Sequence, residues 1–410
     1  MKDFKSYLNL IKTGCVEKFS RKNMFQNDPS RIMEDHSSKI NFQEKYMKEH
    51  KVSGIPARAG MRWTEEKIGD WYKQRGWLLG CNYAPSTAVN QLEMWEAETF
   101  DPITIDRELG WAANLGFNTI RIFLHDLLWV HDPEGLKERM EIFLSKAEAH
   151  GIGVMFVLFD SVWNPFPEKG KREYKIGVHN SGWLQSPGLE ILKNTERHDD
   201  LEGYVKGIIS HFANDHRIHV WDLFNEPCNR NVASYGVHEP ENKADLSLAL
   251  LRKAFAWARE INPTQPLTSG VWIGEWCDTK IKELDRFMLE NSDVITFHNY
   301  ESPEEMERRI IKLQRFNRPI LCTEYMARGF NNTFESILPV FKKHNVSGYN
   351  WGLVAGKTQT NYAWDSWSVN YDGEPNLWFH DIFRADGTPY KEEEIHFLIQ
   401  FKEAHRRPSL

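Results

Sequence analysis

Two glutamates in this sequence each close a short apolar run. Glu226 ends His219-Val-Trp-Asp-Leu-Phe-Asn-Glu-Pro227, and Glu324 ends Pro319-Ile-Leu-Cys-Thr-Glu. Val220, Trp221, Leu223 and Phe224 are strand formers, and Pro227 bars further pairing. Taken singly, such an ending also describes an ordinary strand followed by a turn. The pair says more. The glutamates stand 98 positions apart, which is three units at about 30 residues per strand and helix in a barrel of parallel strands. Two acids three strands apart at one end of such a barrel face each other across its mouth. Paired carboxylates flanking one bond are what cleavage of a glycosidic linkage requires.

Further residues fall at strand ends in the same order. They are Arg121 in Thr-Ile-Arg-Ile-Phe, Asn225 beside Glu226, His298 and Tyr300 in Thr-Phe-His-Asn-Tyr, and Trp351 in Tyr-Asn-Trp-Gly. With the Asn225-Glu226-Pro227 triplet and Glu324, this ordered set resembles glycoside hydrolase clan A, and within it the family 5 enzymes of cellulase and mannanase type. The resemblance spans roughly residues 75 to 400. It implies that Glu226 is the acid/base and Glu324 the nucleophile of a retaining β-glycosidase. It implies gluco-, manno- or xylo-configured oligosaccharide or polysaccharide substrates, with no metal or organic cofactor. A transglycosidase on the same site and a non-catalytic carbohydrate-binding barrel are the alternatives.

Each role makes a physical demand. Glu226 must carry a proton near neutrality, which an apolar wall and the charge of Glu324 would favour. Glu324 must stay ionised, and Arg121 is the fixed cation to hold it so. Tyr300 is placed to hydrogen-bond Glu324, Asn225 to bind a sugar 2-hydroxyl, and Trp351 to lie under the sugar. Trp272, His125, Trp163 and Asp160 sit at or just past strand ends as further sugar contacts. Retention predicts carboxyls roughly 5–5.5 Å apart, inversion about 6.5–9.5 Å.

The elements that must position these groups alternate strand and helix, predicting an α/β fold, a (β/α)8 TIM barrel. Strands are expected over Trp77–Tyr83, Asn118–Leu124 and Gly153–Asp160, then up to Asn225, over Gln265–Trp272 and Asp293–Tyr300, up to Glu324, and over Val346–Val354. Ala84 to Pro102 reads as a long loop, and Thr64 as the cap of a helix opening on Glu65 and Glu66. Ser161–Arg197 and Ala355–Leu377 exceed what a turn needs, and read as walls of a cleft. Their blocking position predicts a short cleft that trims oligosaccharides from one end.

Composition sets the outer bounds. The 41 % hydrophobic content suits one large core, and the 16 tryptophans suit stacking on sugar faces as well as packing. A net charge of −7 with no basic block argues against nucleic acid as a partner. Five cysteines without ligand spacing read as reduced thiols, and His216 and His219 as a surface and a core histidine. Residues 1–60 are polar and weakly patterned, and read as a dispensable extension ahead of a catalytic domain over 61–410 that could begin at Met61. Neither an apolar leader nor a membrane span is evident, so a cytoplasmic protein is expected. Oligomeric state is not encoded in any pattern found.

Overall fold

In a computed structural model, residues 60–277 and 279–404 are described. The expectations placed on residues 1–59, a dispensable extension and the thiol of Cys15 among them, lie outside the described residues. Eight parallel strands run β1 (Leu79–Asn82), β2 (Thr119–Phe123), β3 (Gly153–Asp160), β4 (Ile218–Asn225), β5 (Leu267–Thr268), β6 (Ile295–His298), β7 (Ile320–Tyr325) and β8 (Ser347–Trp351). Their order is β5-β4-β3-β2-β1-β8-β7-β6. The sheet closes between β5 and β6 through a parallel bridge from Val271 to Phe297. This is a (β/α)8 barrel with helices between the strands.

Alternation along the strands divides the core in two. Ile120 and Ile122 of β2 and Trp221 and Leu223 of β4 face the helix layer and join its large apolar cluster. Residues between them turn inward. At the foot of the barrel, Leu78, Met155, Val220, Val294, Leu321 and Tyr349 pack against Trp63, Ile68, Trp71 and Tyr72. The last three belong to the helix Glu65–Arg75, which plugs that end. Thr64 caps it as expected, its hydroxyl accepting from the Lys67 N–H at 3.1 Å. The mouth at the other end is left for the strand-end residues.

Three expectations shift. The loop after β1 contains a helix, Gln91–Trp95, because the Asn90 side chain caps it by accepting from the Glu93 N–H at 2.9 Å. Trp95 is consequently a core residue, its indole donating to the Phe123 carbonyl at 2.8 Å. A second short helix, Asp126–His131, follows β2. The fifth strand is cut to two residues, since beyond it side chains replace the ladder: Ser269 donates to the Phe224 carbonyl and to Ser292 Oγ. The other strands and the main helices lie within a few residues of expectation. Cys81, Cys228 and Cys322 are buried thiols outside any disulfide. His216 is exposed beside Glu148, and His219 is buried against Thr119. Among the described residues no helix is long and apolar enough to cross a membrane.

Candidate active site

Arg121 is the floor on which the mouth is built. Its side chain is fully buried. It donates to Asp222 Oδ2 at 2.8 and 3.1 Å, to Asn82 Oδ1 at 2.7 Å, to Asn225 Oδ1 at 2.7 Å and to Glu324 Oε1 at 3.3 Å. A buried guanidinium is stable only with such a set of acceptors. Asp222 supplies its main counter-charge, so Arg121 reaches Glu324 while already neutralised from below. Asn225 is held at both ends, since its Nδ2 donates to Asp160 Oδ1 at 3.0 Å.

Glu226 and Glu324 meet above this floor. His298 Nδ1 lies 2.8 Å from Glu226 Oε1 and 3.5 Å from Glu324 Oε2. One oxygen of each glutamate and the His298 nitrogen all lie within 4.8 Å of one another. Asn229 Nδ2 donates to Glu226 Oε2 at 2.7 Å, and the Tyr300 hydroxyl to Glu324 Oε2 at 2.9 Å.

Burial dominates the electrostatics. It pushes Glu226 up to about 7 against the pull of Asn229 and Arg121. Glu324 is also pushed up to about 7, by burial and by the charge of Glu226, with His298, Arg121 and Tyr300 opposing. His298 is pushed down to about 4 by burial, so its ring is neutral at pH 7. The two acids therefore titrate as a pair that keeps a shared proton into the neutral range. Of the two, Glu324 has the closer charged neighbour. It faces a guanidinium and a phenol, whereas Glu226 faces a neutral amide and a neutral imidazole.

The acid after β4 is held in a costly backbone. Glu226 has φ +42°, a left-handed conformation that glutamate rarely adopts. The next residue is tied down on two sides, its Pro227 carbonyl accepting from Ser247 at 2.5 Å and from Ser161 at 3.2 Å. Beneath them lies a fully buried ion pair, Lys243 with Glu239 at 2.8 Å. Lys243 also donates to the Ser161 carbonyl at 3.1 Å, and Asn231 bridges Glu239 to that carbonyl. Local strain at Glu226 is thus fixed by contacts from the loops after β3 and β4.

Around the mouth stands an aromatic wall of Phe123, Trp163 and Trp183, with Trp351, Trp364 and Trp367 half-buried against it. Trp163 stacks on Trp367 with centroids 5.2 Å apart and planes at 14°. The loops after β3 and β8 are bound to each other. Asn180 N–H donates to the Thr358 carbonyl at 2.8 Å, Gln359 Nε2 to the Lys175 carbonyl at 2.7 Å, and the Trp367 indole to the His179 carbonyl at 3.0 Å.

The structure gathers Glu226, Glu324, Arg121, Asn225, His298 and Tyr300 into one network, with Asp160 attached through Asn225. Trp351 and Trp163 stand in the aromatic wall. Trp272 and His125 fall outside both groups. Trp272 packs on the helix-side core and donates to Cys228 Sγ at 3.3 Å. His125 is fully buried and caps the helix Asp126–His131, its Nδ1 accepting from the Leu127 N–H at 3.2 Å. Sequence reasoning missed Asp222, Asn82 and Asn229. The first two sit inward on their strands, a period-2 position at which a polar residue in an apolar strand is itself a signal. Asn229 lies three residues past Glu226 in a turn, with no such signal.

Glu226, His298 and Glu324 together present a ligand set that a divalent cation could occupy. The permanent charge of Arg121 at 3.3 Å from Glu324 opposes one there. The remaining donors fit a proton-sharing acid pair better than a metal centre.

No protein-family model matches the sequence, and no curated protein matches it either. Solved structures match its fold. A Glu→Ala variant of a GH5_18 enzyme from Streptomyces cattleya, in complex with Manβ1-4GlcNAc, aligns over 82 % of both chains at 12 % identity with TM-score 0.56. A GH5_18 Glu→Ala variant from Bifidobacterium longum subsp. longum, with the same disaccharide, covers 81 % of this chain and 79 % of its own at 14 % identity and TM-score 0.52. An exo-β-1,4-mannosidase from an Opitutaceae bacterium aligns over 80 % of this chain but only 59 % of its own length, at 17 % identity and TM-score 0.53. At these identities the likeness to family 5 barrels is one of fold.

Proposed function

We propose that this protein is a retaining glycoside hydrolase that cleaves β-linked gluco-, manno- or xylo-configured oligosaccharides by double displacement. The observation that carries the reading is the approach of Glu226 and Glu324, with an oxygen of each within 4.8 Å of the other. That spacing supports retention, since inversion needs room for a water between acid and base.

The roles follow from the partners. Glu324, kept anionic by Arg121 and Tyr300, attacks the anomeric carbon as the bond to the leaving oxygen breaks. Glu226 delivers its proton to that oxygen, giving a covalent glycosyl-enzyme. Glu226, now ionised, takes a proton from an incoming water. That water attacks the anomeric carbon and frees Glu324. His298 holds the Glu226 carboxyl in place through both half-reactions. Asn225 is fixed by Arg121 and Asp160 so that its amide stays oriented beside the sugar 2-hydroxyl.

Two features support short substrates attacked from one end. The long loops after β3 and β8 are bonded together on one side of the mouth, and the fold neighbours include an enzyme named as exo-acting and two captured with a disaccharide. The test is hydrolysis of a panel of aryl β-glycosides and β-linked oligosaccharides by the wild type, Glu226→Ala and Glu324→Ala. Turnover of one glycone by the wild type alone is the expected result. Undiminished turnover in either variant rules out the assigned pair, and mid-chain fragments from a polymer rule out the end-wise mode.

A further inference from the structure

Beside the acid pair, a narrow cleft with a cavity of about 20 Å³, room for a hydroxyl or a water, opens between the two bonded loops and the ends of β1 and β8. Trp183, Trp351, Asn180, Thr358, Thr360 and Asp381 are among the residues that line it. It shares Trp351 and Asn82 with the site above, and Asn82 is one of the acceptors that orient Arg121.

Asn180 is its unusual member. The residue is 1 % exposed, yet neither its Oδ1 nor its Nδ2 has a hydrogen-bond partner. A buried amide left in that state costs about 1–3 kcal/mol. Its backbone is nonetheless strictly placed. It adopts φ +49°, its N–H donates to the Thr358 carbonyl at 2.8 Å, and its carbonyl accepts from the Trp183 N–H at 3.1 Å. Both loops thus spend contacts on presenting an amide that nothing in the protein uses. An amide pairs one acceptor with one donor, the complement of two neighbouring hydroxyls.

Asp381 is a second buried polar group on the cleft, and it is partnered. It is fully buried, and its carboxylate is hydrogen-bonded by the Thr360 hydroxyl at 2.8 and 3.0 Å. It packs against the backbone of Gly352, directly after Trp351. A side chain at Gly352, which has φ +77°, would collide with that carboxylate. Burial pushes Asp381 up to about 7, so near neutrality it can donate as well as accept.

The position of the cleft sets which part of a substrate it meets. Glu226 at the end of β4 protonates the leaving oxygen, so the departing portion lies on the β4 side. In the strand order, β8 stands four steps from β4 in a ring of eight, on the opposite side. The cleft therefore faces the sugar that is transferred to Glu324.

Resting on the glycosidase reading, we infer that Asn180, with Asp381 beyond it, reads hydroxyls of the terminal non-reducing sugar and so fixes both glycone choice and end-wise action. Half-buried Trp351 supplies a face against which that sugar packs, with buried Trp183 set edge-on behind it.

The experiment is a substrate-by-enzyme cycle. The best glycoside of the panel and its single-deoxy analogues are assayed with the wild type, Asn180→Gly and Asn180→Asp, each checked for an unchanged melting temperature. Glycine keeps the left-handed backbone and removes the amide. Aspartate keeps the shape but replaces the donor with an acceptor and adds a negative charge. Expected is a loss in kcat/KM of ~10- to 100-fold for the full glycoside in Asn180→Gly, and no further loss for the one deoxy analogue lacking the hydroxyl that Asn180 binds. An equal loss on every deoxy analogue, or no loss at all, overturns the inference. Glu226→Ala and Glu324→Ala run in parallel keep the two claims apart. If they are inactive while Asn180→Gly matches the wild type, only the hydroxyl reading fails. If they remain active, the catalytic assignment itself fails.

Discussion

The ends of β4 and β7 carry the same functional group in opposite settings. Glu324 lies within β7, opposite His298 at a bulge in the β6–β7 pairing, and is met by a guanidinium and a phenol. Glu226 lies just past its strand in a left-handed turn, held from behind by loop contacts and met by neutral groups. Burial raises both acids by a similar amount, so burial alone does not tell them apart. The partners do. A carboxylate surrounded by fixed donors is suited to remain charged and attack. One surrounded by neutral groups is suited to carry a proton and surrender it.

The sharpest way to break this comparison is to remove each acid and supply azide. Activity should fall on the order of 10⁴-fold in either alanine variant with an unactivated leaving group. The rescued products should differ. In Glu226→Ala, azide attacks the glycosyl-enzyme and gives a β-glycosyl azide. In Glu324→Ala, it attacks the substrate directly and gives the α-azide. Chromatography or NMR of the products reads the difference, and identical anomers from both variants would erase the asymmetry.

Stability offers a second route. Glu226 is raised from 4.5 to about 7 in the folded protein. Between those pH values the folded chain keeps a proton that the unfolded chain has released, so stability falls as pH rises through that window. Glu226→Gln removes this group's share of the dependence and leaves that of Glu324. It should be more stable than the wild type by up to ~3 kcal/mol at pH 8, and gain little at pH 4, in denaturant titrations at the two pH values. A gain independent of pH would point to packing instead.

Smaller effects separate the partners. Tyr300→Phe removes a donor to ionised Glu324, and should lower kcat by ~10- to 100-fold while moving the acid limb of the pH profile to higher pH. Asn229→Ala removes the bond that favours charged Glu226. The alkaline limb alone should then move up, by a fraction of a pH unit. If Tyr300→Phe shifted the alkaline limb, the two acids would have exchanged roles.

Much of this arrangement was legible in the residues. Apolar runs ending on Glu226 and Glu324 gave the strands, their separation gave the barrel, and Arg121 and Tyr300 found their expected partner. The apolar wall expected to raise Glu226 is its main cause, since burial pushes it up. What stayed hidden depends on the third dimension. Asp222 takes the main charge of Arg121 from 101 positions away. His125 has the strand-end position of a sugar ligand, but a helix start there uses its ring as a cap. Asn180 reads as an ordinary loop residue until both loops close around it and leave its amide unpartnered.

The short β5 has a mechanical corollary. β5 and β6 share no continuous ladder: three backbone bonds cross between their segments, Asp293 N–H to the Leu267 carbonyl at 2.8 Å, Val271 N–H to the Thr296 carbonyl at 3.1 Å and His298 N–H to the Val271 carbonyl at 3.0 Å, with the Thr268 hydroxyl donating to the Val294 carbonyl at 2.9 Å. Backbone opening is cheapest where the fewest such bonds cross. This seam should breathe first, and in deuterated solvent the amides of Val271 and His298 should exchange ahead of those in β2 and β3. Because His298 sits on the seam and contacts Glu226 across it, dilation there widens the gap between acid and imidazole while leaving the Arg121 floor undisturbed. Such an elastic edge would lie, in the proposed reaction, on the side by which the departing portion of the substrate leaves.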